Sequence, residues 1–341
     1  MKSIKIKGIK AAISAVSGYV PPDVLSNSDL EKMVDTNDEW IISRTGIKER
    51  RIARNPLEPT SFLAIQAAIK LLEKKKINPL AIDLIILATA TPDMPVVASA
   101  AFIATEIGAY NAFGYDLHAA CSGFLYGMST AAAYIESGRY KKVLLIGADK
   151  MSSVVDYTDR TTCIIFGDGA GAVLFEPSEN DFGYEDSYLR SDGSGRDFLT
   201  IKSGGSLYPY DENTFAEGGH NIKQEGQTVF KNAVKNMADA AENLMIQNNL
   251  SGNQIAYLLP HQANKRIIDA TSKRINLPPD RVLMNIEKYG NTTAATLPLL
   301  LSDYEFKFSK GDKLIFAAFG GGFTWGAVYL TWNYDYKNLK V

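Results

Sequence analysis

Short apolar runs alternate along this chain with longer stretches in which apolar positions recur every three or four residues. The first pattern predicts buried strands and the second amphipathic helices, and their alternation predicts an α/β protein. Strands are expected at 82–89, 114–118, 143–147 and 172–175. Helices are expected at 61–76, 99–107 and 122–137, closed by Asn78 and Pro79, by Gly108 and by Gly138. Ser28 and Glu31 stand at capping-box spacing and predict another short helix. Near the start, Ile4 and Ile6 alternate with Lys5 and Lys7, so a strand is expected there rather than a secretory leader, despite the apolar stretch 11–16.

The same order of patterns returns later in the chain. Segment 68–90 has a counterpart in 243–264, with Ile82 falling on Ile255, and Val143 falls on Leu314 at nearly the same offset. Both 143 and 314 open strands after a charged turn, and a glycine-rich turn is expected after each strand, at 167–171 and at 320–322. The chain is therefore read as two duplicated halves, 1–176 and 177–341. The polar stretch 177–219 is expected to form hairpins and loops that cover a site.

Composition narrows the function classes. Apolar residues make up 46% and charged residues 22% of the 341, which excludes a disordered chain. The net charge of -2 removes the electrostatic footprint of a nucleic-acid binder. No run is long and apolar enough to cross a bilayer. With two cysteines and three histidines, a disulfide framework is excluded, a metal-centred mechanism has little to work with, and a cytoplasmic protein is expected. Gly167 to Ala172 satisfies a dinucleotide-binding pattern, but the residues after it read as a strand where that pattern needs a helix.

Cys121 is the leading nucleophile. The small residues Ala119, Ala120, Ser122 and Gly123 around it suit a sharp strand-to-helix elbow. A sulfur at a helix N-terminus is expected to have a lowered pKa. The other reading of a lone cysteine, a small buried hydrophobe, is retained for Cys163, which reads as part of a plain strand. Of the histidines, His118 lies in the strand feeding the elbow with a packing role expected, and His220 lies in a loop. His261 follows the strand expected at 255–259, at the functional edge of a sheet. A third loop, 289–296, is expected to join a strand at 282–286 to a helix at 293–304. In the duplicated scheme Asn291 answers Cys121, and Pro298 argues for a later helix start.

These blocks carry a resemblance. Ala120-Cys121-Ser122-Gly123-Phe124, His261-Gln262-Ala263-Asn264, Gly290-Asn291-Thr292-Thr293 and Phe319-Gly320-Gly321-Gly322-Phe323 look like the motifs of β-ketoacyl-acyl carrier protein synthase III, of the thiolase-fold superfamily. Asp38 to Ile47 and Phe166 to Ala172 match as well, and the blocks run in order along nearly the whole chain. The resemblance implies a five-layer αβαβα fold built from two duplicated βαβ-based halves. It also implies an initiating condensing enzyme of type II fatty acid biosynthesis. Cys121 takes an acyl group from a primer acyl-CoA, and malonyl-acyl carrier protein loses CO2 and attacks it, giving a 3-oxoacyl-acyl carrier protein. In this scheme His261 and Asn291 donate to the enolate oxygen, and the backbone N–H groups of Cys121 and Gly321 form the oxyanion hole.

By position, Trp40, Arg44 and Thr45 resemble residues holding the CoA nucleotide, with Arg160 opposite Trp40. Gly226, Phe230 and Asn264 resemble those lining the pantetheine tunnel. Arg266 falls where the family meets its acidic carrier protein, with Lys265, Lys273 and Arg274 as extensions of that patch. Val96 and Val97, beside Met94, stand where relatives carry an aromatic acyl-pocket wall reached from the partner of a homodimer, and residues 331–341 run past the usual terminus. No metal and no cofactor beyond acyl-CoA as substrate are implied. The alternative is a related thiolase-fold synthase making a secondary metabolite or a long-chain ketone; a papain-like hydrolase fits neither the position of Cys121 nor the cysteine count.

Overall fold

The computed structural model describes residues 8–336, so the alternation at Ile4 and Ile6 lies outside the described residues. The chain begins with β1 (Ala11–Tyr19), then β2 (Val24–Ser26), α1 (Asn27–Leu30), α2 (Asp38–Thr45) and β3 (Glu49–Arg51), with β2 and β3 paired as a ribbon. It continues through α3 (Thr60–Lys75), β4 (Leu84–Ala88), α4 (Ser99–Glu106), β5 (Phe113–Leu117), α5 (Gly123–Glu136), β6 (Val143–Lys150) and β7 (Asp168–Pro177). After β8 (Tyr184–Ser191) the ribbon strands β9 (Leu199–Ile201) and β10 (Ile222–Gln224) flank α6 (Glu212–Ala216). The remainder is α7 (Gly226–Gln247), β11 (Tyr257–Pro260), α8 (Lys265–Arg274), α9 (Ile286–Tyr289), α10 (Thr296–Tyr304), β12 (Lys313–Gly320) and β13 (Thr324–Thr331).

Two sheets result, ordered β1-β7-β6-β4-β5 and β8-β13-β12-β11. They correspond strand for strand: β4 runs parallel to β6 as β11 runs parallel to β12, and the next strand outward is antiparallel in both. The strand expected at 282–286 is not formed. A single bridge from Leu258 to Val282 stands where β5 stands in the first sheet, because the backbone N–H groups of Asn285 and Ile286 are taken by the Gln262 side chain, each at 3.1 Å, and the chain turns into α9.

Apolar spacing decides the layers. In α3 the buried Leu63, Ala64, Ala67, Ala68, Leu71 and Leu72 form one stripe, which packs with α4 on the outer face of the first sheet. α7 and α8 cover the outer face of the second sheet in the same way. α5 and α10 lie between the sheets, and their core joins Phe124, Met128, Leu297 and Leu300 to Val143 and Phe175 on one side and Phe316 and Val328 on the other. The layering is αβαβα.

Three local expectations are corrected. The capping box is Ser26 with Asp29, because Ser26 has the extended backbone a cap requires while Ser28 is already inside the helical turn. The glycines of 167–171 are not a turn but the start of β7. A Cβ on Gly171 would sit 2.6 Å from Pro298, and one on Gly147 in β6 2.4 Å from the Ala294 carbonyl, so these glycines let the α10 segment press onto the sheet. Cys163 lies in a run of turns rather than a strand, tied by its N–H to Asp159. As Pro298 argued, α10 starts late, at Thr296, after a 3-10 turn Thr293–Ala295.

Candidate active site

Cys121 occupies the centre of the 3-10 turn Ala120–Ser122 between β5 and α5, with Ala120 at φ 46°. The α-helix starts at Gly123, two residues beyond the sulfur. Cys121 is 5% exposed. Burial, then the charge of Asp149, pushes its thiol up to about 12, against the pull of its own backbone N–H and the Asn291 side chain. The expected lowering of this pKa is therefore corrected: desolvation outweighs the helix terminus.

His261 follows β11, and its N–H continues the parallel ladder to Ala317 O at 2.7 Å. The ring is 2% exposed, and burial pushes its pKa down to about 3, so it is neutral at physiological pH. Nδ1 lies 2.7 Å from Thr296 Oγ1, and Nε2 is buried with no hydrogen-bond partner among the described residues. Asn291 follows α9 and Gly290, and its backbone is clamped between Ile165 O at 2.9 Å and Gly167 N at 3.1 Å. Its Oδ1 accepts the Thr293 N–H at 2.8 Å, which leaves the amide hydrogens for the cavity side. The residue that answers Cys121 at the centre of the matching 3-10 turn is Ala294, not Asn291, which belongs to the loop before it.

Sequence reasoning missed Asp149, at the buried end of β6. Its Oδ1 accepts from Ala90 N at 2.7 Å, Thr91 N at 3.0 Å and the Thr89 hydroxyl at 3.0 Å. Its Oδ2 accepts from Ala294 N at 3.0 Å and from the Thr293 hydroxyl. One carboxylate thus ties the turn after β4 to the loop that carries Asn291. A lone acid in an apolar strand was the available signal.

Cys121, His261 and Asn291 share one narrow cavity of about 130 Å³. Leu199, Val229, Phe230 and Phe319 form its apolar wall, and Gln224, Gly226 and Asn264 lie at its outer end. Gly320 borders the elbow so closely that a Cβ there would meet Cys121 N at 2.8 Å. A larger polar cleft of about 510 Å³ lies at Gln254, Arg281 and Lys313, at the opposite ends of β11 and β12 from His261, and contains none of the three residues.

The residues matched to CoA gather at the cavity mouth. Asn264 caps α8 through Arg266 N at 2.9 Å and donates to Arg44 O at 2.8 Å. Gln224 donates to Thr161 O, next to Arg160, at 3.2 Å, and the Arg160 guanidinium stacks on Trp40. Thr45 is different. It is buried, and its hydroxyl donates to Ile41 O at 2.7 Å and accepts the Ile47 N–H at 3.0 Å, so it shapes the end of α2 rather than facing a ligand.

Other expectations resolve individually. Arg266 lies over the Phe230 ring at 4.7 Å and has no carboxylate partner among the described residues. Lys265 is paired with Asp269 at 2.7 Å, and Arg274 with Asp239 and Glu242 at 2.6 and 3.0 Å, so both are drawn out of the expected patch. Val96 and Val97 are exposed and do not line the cavity of their own chain. His118 is exposed rather than packed. His220 stacks on Phe215 at 4.3 Å, and Cys163 is fully buried.

Two sheets that share a helical layer and meet at a buried cysteine place this chain among the thiolase-fold acyltransferases. Residues 115–193 match the family described as 3-oxoacyl-[acyl-carrier-protein (ACP)] synthase III, and residues 245–332 match its C-terminal part. Beta-ketoacyl-[acyl-carrier-protein] synthase III 2 of Bacteroides thetaiotaomicron is 53% identical over 96% of this chain and 98% of its own. The corresponding synthase III of Chlorobium chlorochromatii is 52% identical over 95% and 100%. The crystal structure of 3-oxoacyl-[acyl-carrier-protein] synthase III from Aquifex aeolicus superposes with a TM-score of 0.86 at 40% identity, covering 95% of this chain and all of that one. The chain belongs to the 3-oxoacyl-[acyl-carrier-protein] synthase III family.

Proposed function

We propose that this protein is the initiating condensing enzyme of fatty acid biosynthesis, with Cys121, His261 and Asn291 as its catalytic residues. The observation that carries the reading is the single cavity in which a buried thiol faces a neutral imidazole and an amide donor. In the first half-reaction the Cys121 sulfur attacks the thioester carbonyl of an acyl-CoA, the bond to the CoA sulfur breaks, and the thiol proton leaves on CoA. The N–H groups of Cys121 and Gly321 hold the oxyanion, and Gly320 permits their approach.

In the second half-reaction malonyl-acyl carrier protein loses CO2, and the electron pair of the broken bond passes into an enolate. His261 Nε2 and Asn291 Nδ2 donate to its oxygen. The carbanion then attacks the acyl-cysteine, and the released thiolate takes up a proton. No cofactor is needed, because every step is a thioester exchange, a decarboxylation or a carbon–carbon condensation with a thiolate leaving group, and none changes the overall oxidation level. Arg44, Trp40 and Arg160 hold the CoA nucleotide at the mouth, Gly226, Phe230 and Asn264 border the pantetheine arm, and Arg266 meets the acidic carrier protein.

A homodimer is supported by β5, an edge strand with exposed Phe113 beside exposed Phe102, Tyr110, Val96 and Val97. Pairing two such edges removes an unpaired ladder from water, and brings Val96 and Val97 to the partner's acyl pocket. Two free cysteines and the lack of any helix long and apolar enough to cross a membrane among the described residues support a cytoplasmic site of action.

The test is mass spectrometry of the protein incubated with a panel of acyl-CoAs. An acyl mass is expected on Cys121, followed by CO2 release and a 3-oxoacyl product once malonyl-acyl carrier protein is added. Acylation elsewhere, or persistence of both half-reactions in Cys121→Ser, sinks the reading.

A further inference from the structure

We propose that Thr296 is a positioning residue that holds His261 in the tautomer whose Nε2 carries the ring hydrogen. The inference rests on the donor role given to His261 above and adds what makes that role possible. A neutral imidazole has one N–H and one bare nitrogen, and the partner of one nitrogen decides the state of the other.

The Thr296 hydroxyl has a single hydrogen and two acceptors within reach. One is His261 Nδ1 at 2.7 Å and the other the Thr293 carbonyl at 3.0 Å. That carbonyl already accepts the backbone N–H of Thr296 itself, which closes the 3-10 turn before α10. The hydroxyl hydrogen goes to Nδ1, which is the nearer acceptor and has no other donor among the described residues, whereas the carbonyl is already satisfied by the Thr296 N–H. With Nδ1 accepting, the ring hydrogen sits on Nε2, the atom that is buried, unpartnered and part of the cavity residue set.

The same short segment orients the second donor. The Thr293 N–H fixes Asn291 Oδ1, so the amide of Asn291 presents hydrogens rather than a lone pair. Residues 293–296 thus set the polarity of both groups that converge on the proposed enolate oxygen. In the opposite tautomer a bare Nε2 lone pair would face that oxygen and repel it. The arrangement also divides the chemistry: an Nε2 that already bears hydrogen is no base for the Cys121 thiol, consistent with the thiol proton leaving on CoA.

The test begins with the wild-type protein labelled with 15N-histidine. Its three histidines make assignment tractable with a His118→Gln control. The Nε2 resonance of His261 is expected at the position of a protonated ring nitrogen and Nδ1 at that of a bare one. Thr296→Val is expected to lose or reverse that pattern and to lower the turnover number for malonyl-thioester decarboxylation by about 10- to 100-fold, the range found when a metal-bound histidine loses its orienting partner. The KM is expected to change little, and Thr296→Ser to restore both readouts. A wild-type spectrum with Nδ1 protonated overturns the proposal without reference to any variant, as does a folded Thr296→Val with wild-type turnover. If His261→Ala decarboxylates normally, the donor role itself falls, a result distinct from a failed tautomer assignment.

Discussion

The guanidinium of Arg160 lies over the indole of Trp40, 4.7 Å from the ring centre, and Asp35 stands 3.7 Å from the same arginine. The two halves of the proposed nucleotide clamp are thus in contact with each other, and a base stacked between them would part them. Such an exposed contact is worth about 0.5–1 kcal/mol, so opening it is cheap. Trp40→Ala is expected to raise the KM for acyl-CoA several-fold while leaving the KM for an acyl-pantetheine, which has no nucleotide, unchanged. Equal effects on both substrates would move Trp40 out of the nucleotide site.

The buried thiol makes an opposite forecast to that of an activated cysteine. With Cys121 pushed up to about 12, against about 8.5 for a free cysteine, alkylation by iodoacetamide at pH 8 is expected to be at least about 10-fold slower than that of a model thiol. Peptide mapping over time reads the rate at Cys121. A rate above that of the model thiol would show that the helix terminus wins after all.

His261 imposes a pH dependence on stability. Its folded pKa is depressed to about 3 from 6.5, so between those values the unfolded chain binds more protons than the native one. Stability is therefore lost as pH falls through that window. His261→Asn removes the titrating group, and its urea midpoint is expected to decline less steeply than wild type from pH 6.5 to 4. Parallel declines would mean the imidazole is solvated in solution.

Arg266 is an exposed cation of α8 without a carboxylate partner among the described residues, as is Lys273 at the far end of the helix, and it stands beside paired Lys265. Arg266→Glu is expected to raise the KM for malonyl-acyl carrier protein and flatten its salt dependence, since such charges act mainly on encounter and are screened beyond about 8 Å at physiological salt. Acylation by acyl-CoA serves as the internal reference. Should it fall as far as the carrier-protein reaction, Arg266 acts at the shared cavity mouth.

Gly147 tests the seam between the sheets. A methyl there would meet the Ala294 carbonyl at 2.4 Å and displace the turn that Asp149 also grips. Gly147→Ala is expected to cost about 1–3 kcal/mol by overpacking, read as a lower Tm, and to reduce decarboxylation more than Cys121 acylation. An unchanged Tm would show that the seam yields.

Much of this was legible from periodicity. The stripe of α3 and the continuous apolar strands β4 and β6 are plain in the sequence, because burial on one or both faces writes a regular pattern. The matching strand orders explain why Ile82 slides onto Ile255. What stayed hidden was set by distant contacts. Nothing local in 282–286 says that Gln262 will capture its N–H groups, and the glycines of 167–171 look like a turn until α10 is placed against them. The small neighbours of Cys121 mark it as a nucleophile, yet its raised pKa comes from burial in a cavity whose other walls, Phe319 and Leu199 among them, are remote in sequence. Thr296 and Asp149 were passed over for the same reason: their partners lie 35 and 144 residues away.

The seam itself has a temporal consequence. Cys121 is supplied by the first half of the chain, whereas His261, Asn291 and the wall at Phe319 arrive in its last quarter. A chain growing from its N-terminus therefore carries the sulfur long before it has a chamber to put it in. The cavity around the sulfur has its full lining only with β12 in the second sheet, because Phe319 belongs to that strand. On the proposed mechanism, a product that stops before Asn291 holds the nucleophile without its second donor or the Phe319 wall.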